Sequence, residues 1–143
     1  MIEKIIHNKV IYALIIKNYR KRKGISFFTE GKFYQQIGYM NHPKNYNILP
    51  HLHNKRNTKV FFTSEVLIIF KGVLRVDFYN KRKNYIFSKL LKKNDVIMLP
   101  KGGHGFKTIK PVEMLEVKQG PYIKIKDKIK FKSVDEKKIK IKK

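Results

Sequence analysis

Short apolar stretches with a period of two constrain this chain more than any single residue does. Successive strand side chains point to opposite faces, so a half-buried strand alternates. "KVIYALIIKN", "QQIGYM", "VFFTSEVLIIF", "VLRVDFYN", "NYIFSKLL", "DVIML", "VEMLEVKQ" and "YIKIK" all fit that period. They are rich in β-branched and aromatic residues and are bounded by Gly, Pro, Asn and Asp. No amphipathic helix of twelve or more residues competes with them. "YNKRKNY", from Tyr79 to Tyr85, reads as a hairpin loop, and turns are expected at Gly72 and at Asn94, whose side chain tolerates positive φ. Short strands at this spacing predict an all-β fold, a sandwich or barrel.

A chain of 143 residues suits one domain with one real core. No apolar run is long enough to span a membrane. The N-terminal stretch carries its basic cluster after its apolar part, the reverse of a secretory signal, so a cytoplasmic protein is the expectation. Without cysteine there is neither a disulfide framework nor a thiolate metal site. The net charge of +24 reads first as the lysine-rich composition bias of an AT-rich genome together with solubility, and a field of this size would also attract nucleic acid, anionic lipid headgroups or anionic metabolites. That charge is spread out: from Ile123 to Lys143 ten lysines face three acids, a net of +7, and the first 122 residues carry the remaining +17.

The chemistry-bearing residues fall in two places. "LPHLHNK" sets His51 and His53 one residue apart after Pro50, with Glu65 and Gly72 downstream. On a strand the two imidazoles would share a face and could meet one metal ion. "NDVIMLPKGGHGF" then runs through Pro100, Gly102 and Gly103 to His104 and Phe106. The glycines allow a sharp bend and close backbone approach. Neutral imidazoles and a carboxylate suit divalent Zn, Fe, Mn or Ni. Glu65 has three readings: metal ligand, general base, or an acid that orients an imidazole.

These two stretches resemble the paired motifs of the cupin superfamily. Cupins are small jelly-roll β-barrels whose motif residues bind one metal inside the barrel. The resemblance implies His51, His53, Glu65 and His104 as ligands, with Glu65 also the candidate proton-transfer group. The match has departures: eleven residues separate His53 from Glu65, Asn94 stands where a glycine is usual, the Gly102–His104 interval is one residue short, and Thr108 replaces an asparagine. A narrower, uncharacterised cupin-like group shares the long gap, the "GGHGF" spelling and an "EVKQGPY" ending, over about residues 24 to 122. That group implies nucleotide-sugar or surface-glycan metabolism, and small barrels of this resemblance often pair as homodimers. The expected organisation is an N-terminal strand or extension (1–23), a barrel (24–126) and a flexible, solvated basic tail (127–143).

Gln36, Tyr79 and Phe106 are the candidate substrate-pocket residues. Glu116 reads as an outward acid paired to a lysine, and His7 and His42 as surface or packing residues. Three functions compete: a metal-dependent enzyme acting on a small anionic metabolite, a non-catalytic small-ligand (sugar) binder, and a basic nucleic-acid module. The last ranks third, because interleaved Arg-aromatic and Gly-rich RNA-binding signatures are missing.

Overall fold

The computed structural model describes residues 1–121 and 127–143, with only the backbone of Lys21. The expected "YIKIK" strand lies outside the described residues. Eight strands are formed: β1 (Ile2–His7), β2 (Val10–Ile16), β3 (Gly24–Phe27), β4 (Gly38–Asn41), β5 (Glu65–Tyr79), β6 (Tyr85–Lys92), β7 (Val96–Leu99) and β8 (Gly103–Lys118). Among the described residues the only helical turns are 3₁₀, at Tyr19–Lys21 and Glu136–Lys138. The all-β expectation holds, as a curled antiparallel sheet that forms a half-barrel.

The sheet runs β1-β2-β7-β5-β6, with β8 on the other side of β5. Strand β5 changes partner midway. Its first half, Glu65–Ile68, pairs with β7, and its second half, from Val73, pairs with β6. Strand β8 follows β5 along its whole length. The β1–β2 hairpin joins the main sheet through β7, so the N-terminal strand or extension read at residues 1–23 supplies two strands of that sheet.

Three irregularities in the β5·β8 register cluster between Ile69 and Leu74. Such bulges bend a strand and raise its twist. Gly72, at φ 87°, sits in the bend, and a Cβ there would lie 1.8 Å from the carbonyl oxygen of Pro111. Only glycine fits that approach. The sequence marks Gly72 as a turn between two strands; it is instead the corner of one long strand.

Strict alternation sends side chains to two cores. Ala13, Ile15, Leu67, Ile69, Ile97 and Leu99 enter one cluster with Leu74, Val76, Phe78, Phe87 and Leu91 from beyond the corner. Leu14, Ile16, Val66, Val96 and Met98 enter a second cluster with Phe28, flanked by Phe33 and Tyr39. Both faces of β2 and β7 are thus covered, which is why their polar positions disappear. The β3–β4 hairpin covers the second cluster and marks it off from solvent.

The segment from Asp127, read as a flexible, solvated basic tail whose Ile129, Phe131, Ile139 and Ile141 could pack against something, is tied to the sheet. Glu136 accepts two hydrogen bonds from the Arg75 guanidinium, 2.8 and 2.9 Å long. Arg75 is buried and also donates to both oxygens of Asp77, which in turn accepts from Ser88. Ser88 N donates to Lys140 O and Ser88 O accepts from Lys142 N, so the C-terminus caps the β6 edge. The lysines of the segment remain largely in water, as the sequence suggests. A buried Arg–carboxylate pair left without one partner is costly, so the network fixes where the segment docks.

Substitution separates the corner from ordinary left-handed glycines. Gly24, at φ 70°, has open space where a Cβ would go. Gly24→Ala is expected to cost about 1 kcal/mol in chemical denaturation, and Gly72→Ala about 3 kcal/mol or more, because it adds a backbone clash to the unfavourable φ.

Candidate functional site

The corner at Gly72 creates the site. Glu65 begins β5, and His104 pairs with Phe78 near its far end. Thirteen residues of straight strand would hold those positions roughly 40 Å apart. Yet His104 Nε2 lies 2.9 Å from Glu65 Oε2. The two halves of the β5·β8 ribbon have folded back until their ends meet.

The glycines before His104 let this happen. Gly102 is at φ 100°, and a Cβ on it would fall 2.5 Å from the Tyr12 ring. A Cβ on Gly103 would lie 3.0 Å from Tyr79 Cβ. The start of β8 is therefore threaded between two tyrosines, where bulkier residues would push His104 away from Glu65.

Both partners are mostly withdrawn from water, Glu65 with 14% and His104 with 25% side-chain exposure. The hydrogen bond from His104 holds the Glu65 carboxyl below the usual carboxylate range, against the opposing effect of burial. An ionised carboxylate only accepts, so His104 carries its proton on Nε2 in this contact. The other ring nitrogen, Nδ1, has no hydrogen-bond partner among the described residues. A carboxylate that fixes an imidazole tautomer is the arrangement that makes histidine an effective base.

The pair opens into a cleft of about 960 Å³. Phe61, Phe62, Tyr79, Phe106 and Phe131 supply aromatic surface, and Lys101, Lys128 and Lys130 supply cations. Tyr79 is buried; its hydroxyl accepts from Val134 N, and its ring meets the edge of Phe131 at 5.1 Å. Phe106 packs tilted against His104 at 5.2 Å. Of the residues singled out from sequence, Glu65, His104, Tyr79 and Phe106 come together here.

His51 and His53 do not reach this point. They lie outside any strand, exposed, on the irregular segment that runs from His42 to Ser64. Their rings are near each other, 5.2 Å between centroids and close to perpendicular, and His51 Nδ1 contacts Leu49 O at 3.0 Å. Among the described residues no group of three or more His, Asp or Glu is set to hold a metal ion. Gln36 is also elsewhere. Its amide donates to the carbonyls of Glu30 and Phe33 and accepts from Thr29, closing the loop between β3 and β4.

Several cleft residues escape sequence reasoning. Glu116, expected outside and paired to a lysine, is exposed and lies near enough to Lys118 to help hold its ammonium charged, and it also lines the cleft. It shares a face with His104 and Phe106 through the even-numbered alternation of β8, a signal visible once that strand's full length is known. Asp127 also lines the cleft, bridged to Lys118 at 3.3 Å. Phe61 and Phe62, read from the sequence as part of the strand "VFFTSEVLIIF", instead lie before β5 on the irregular segment and line the cleft. His7 meets the edge of Tyr12 and His42 stacks on Tyr46, both as packing residues.

The Glu65–His104 contact has a pH signature. The carboxyl is depressed in the folded state, so its stabilisation is present above the ordinary carboxylate range and is lost as pH falls through the folded value. Glu65→Gln is expected to lower stability by about 1–2 kcal/mol at neutral pH. The difference between the two proteins should close below the folded-state value, as read from urea midpoints across a pH series.

Neither a protein family nor a curated protein nor a solved structure matches this chain.

Proposed function

We propose that this protein is a cupin-like enzyme whose cleft binds a small anionic metabolite and moves a proton on it with the Glu65–His104 pair. The contact between these two side chains inside an aromatic, lysine-rimmed cleft carries the reading. Three lysines offer charge to a phosphate or carboxylate, and aromatic faces offer area to a sugar or a base. Glu65 orients the imidazole, and His104 Nδ1 takes or gives the proton. Proton transfer of this kind serves isomerisation, epimerisation and hydrolysis alike. A nucleotide sugar combines the anion, the base and the sugar in one ligand, and it agrees with the cupin-like resemblance.

A resident divalent metal, Fe, Mn, Zn or Ni, is the other part of that resemblance. In this arrangement the donors do not fit it: Glu65 and His104 meet as a pair, and His51 and His53 stand apart from them on an exposed segment. No step is routed through a metal here. The paired imidazoles of His51 and His53 keep metal binding as a separate reading, in which the irregular segment carries them to the dyad. The non-catalytic reading uses the same cleft without proton transfer.

Calorimetric titration with a panel of nucleoside diphosphate sugars and sugar phosphates tests the proposal. At least one compound should bind, Lys101→Ala/Lys128→Ala should weaken it about tenfold or more, and His104→Ala should abolish turnover with binding retained. Failure of the whole panel, or binding indifferent to the two lysines, would sink it. Elemental analysis of wild type beside a His51→Ala/His53→Ala variant decides the metal: equal contents remove His51 and His53 as ligands.

A further inference from the structure

Strands β3 and β4 turn one face to the second core and the other to water. Ser26 and Tyr39 pair on the inner side, and Tyr39 packs there. On the outer side Ile25 pairs with Met40, and Phe27 lies over Gly38. All three outer side chains are more than half exposed, Phe27 at 59%. More exposed apolar residues follow on the irregular segment that leaves β4. Tyr46 shares a hollow with Ile25 and Lys23, and Ile48, Leu49 and Leu52 follow, Leu49 72% and Leu52 96% exposed. So many large apolar groups in water mark a surface that meets something.

The charge around them is one-sided. Residues 17–59 hold ten Lys and Arg and a single acid, Glu30, which is engaged by Lys4 and Lys32. Arg20, Arg22 and Lys23 are exposed beside the hairpin, held there by hydrogen bonds from Tyr39 to Arg20 O and from Asn41 to Arg22 O. Lys44, Lys55, Arg56 and Lys59 are exposed on the following segment.

This chemistry selects the occupant. A second copy would bring these cations against themselves, and the chain has few acids to offer in return. Of its ten acids, Glu3, Glu30, Asp77, Asp127 and Glu136 are engaged in internal ion pairs and Glu65 is held by His104. Nucleic acid would use the cations and the aromatic rings, but it leaves Ile25, Met40, Ile48, Leu49 and Leu52 in water. An anionic bilayer uses both sets: headgroups for the cations, the acyl boundary for the aliphatic side chains. We propose that this face docks the protein on an anionic lipid surface, with Phe27, Met40, Leu49 and Leu52 entering the headgroup–acyl boundary. None of these residues lines the cleft, so the proposal stands apart from the proposed enzymatic reading.

The chain lacks tryptophan, which makes Leu52→Trp a unique reporter. The full-length protein would be mixed with vesicles of phosphatidylcholine, alone or with phosphatidylglycerol. Co-sedimentation is expected with the mixed vesicles only. The indole emission of the Leu52→Trp variant should shift to the blue and be quenched by lipids brominated in the acyl chain. Leu49→Ser/Leu52→Ser and Phe27→Ser/Met40→Ser should each cut partitioning about tenfold, with unchanged circular dichroism. Arg20→Gln/Arg22→Gln/Lys23→Gln should cut it similarly. Emission that stays at its aqueous wavelength, or serine variants that partition like wild type, would overturn the proposal by reducing it to bulk charge. Preference for polyuridylate RNA over the vesicles would assign the face to nucleic acid, and serine-sensitive dimerisation in light scattering would assign it to a second copy; either result overturns it.

Discussion

The fold-back of the β5·β8 ribbon at Gly72 is the constraint on which the rest of this molecule depends. Without it two long paired strands would run flat and place Glu65 and His104 at opposite ends. With it, the ribbon becomes two walls of a half-barrel, and the residues beyond the corner pack onto those before it. The corner combines a left-handed glycine, three register irregularities and a proline in the facing strand, which has no N–H to offer the ladder. At the corner the two strands of the ribbon approach so closely that Gly72 lies against the Pro111 carbonyl.

Fold and chemistry share parts. Tyr79 ends β5, is buried there, holds Val134 of the C-terminal segment and walls the cleft. The same segment supplies Phe131, Lys128 and Lys130 to the cleft and is anchored by Glu136 on Arg75. Burying Arg75 costs desolvation, which its four hydrogen bonds to two carboxylates offset. Glu136, held by Arg75 and Lys107, keeps its carboxyl depressed to about 2. The latch therefore stays charged down to strongly acidic conditions. What looks like a basic appendage in the sequence is part of the wall that a ligand would touch.

Charge in this protein is divided by use. The cleft mixes Lys101, Lys128 and Lys130 with Glu65, Glu116 and Asp127. The outer side of the β3–β4 hairpin and the segment after it carry cations almost without acids, beside apolar side chains in water. No helix among the described residues is long and apolar enough to cross a membrane.

The sequence by itself determined the strand character of the chain. β2, β5, β6 and β7 are legible as alternating or continuous apolar runs because side-chain direction is a local property of extended backbone. The loop at Asn80 and the turn at Asn94 are legible for the same reason: Asn80 Oδ1 accepts from Arg82 and Asn84, and Asn94 takes φ 70°. Strand β1 and the first half of β8 are less so, since their pattern is diluted by lysines and glycines that only a neighbouring strand stabilises. The pairing of Glu65 with His104, the recruitment of Glu116 and Asp127, and the separation of His51 and His53 from that pair were decided by tertiary structure alone. Each depends on where a long ribbon bends and how far, a sum of contacts between residues dozens of positions apart, and no local period in a sequence encodes that sum.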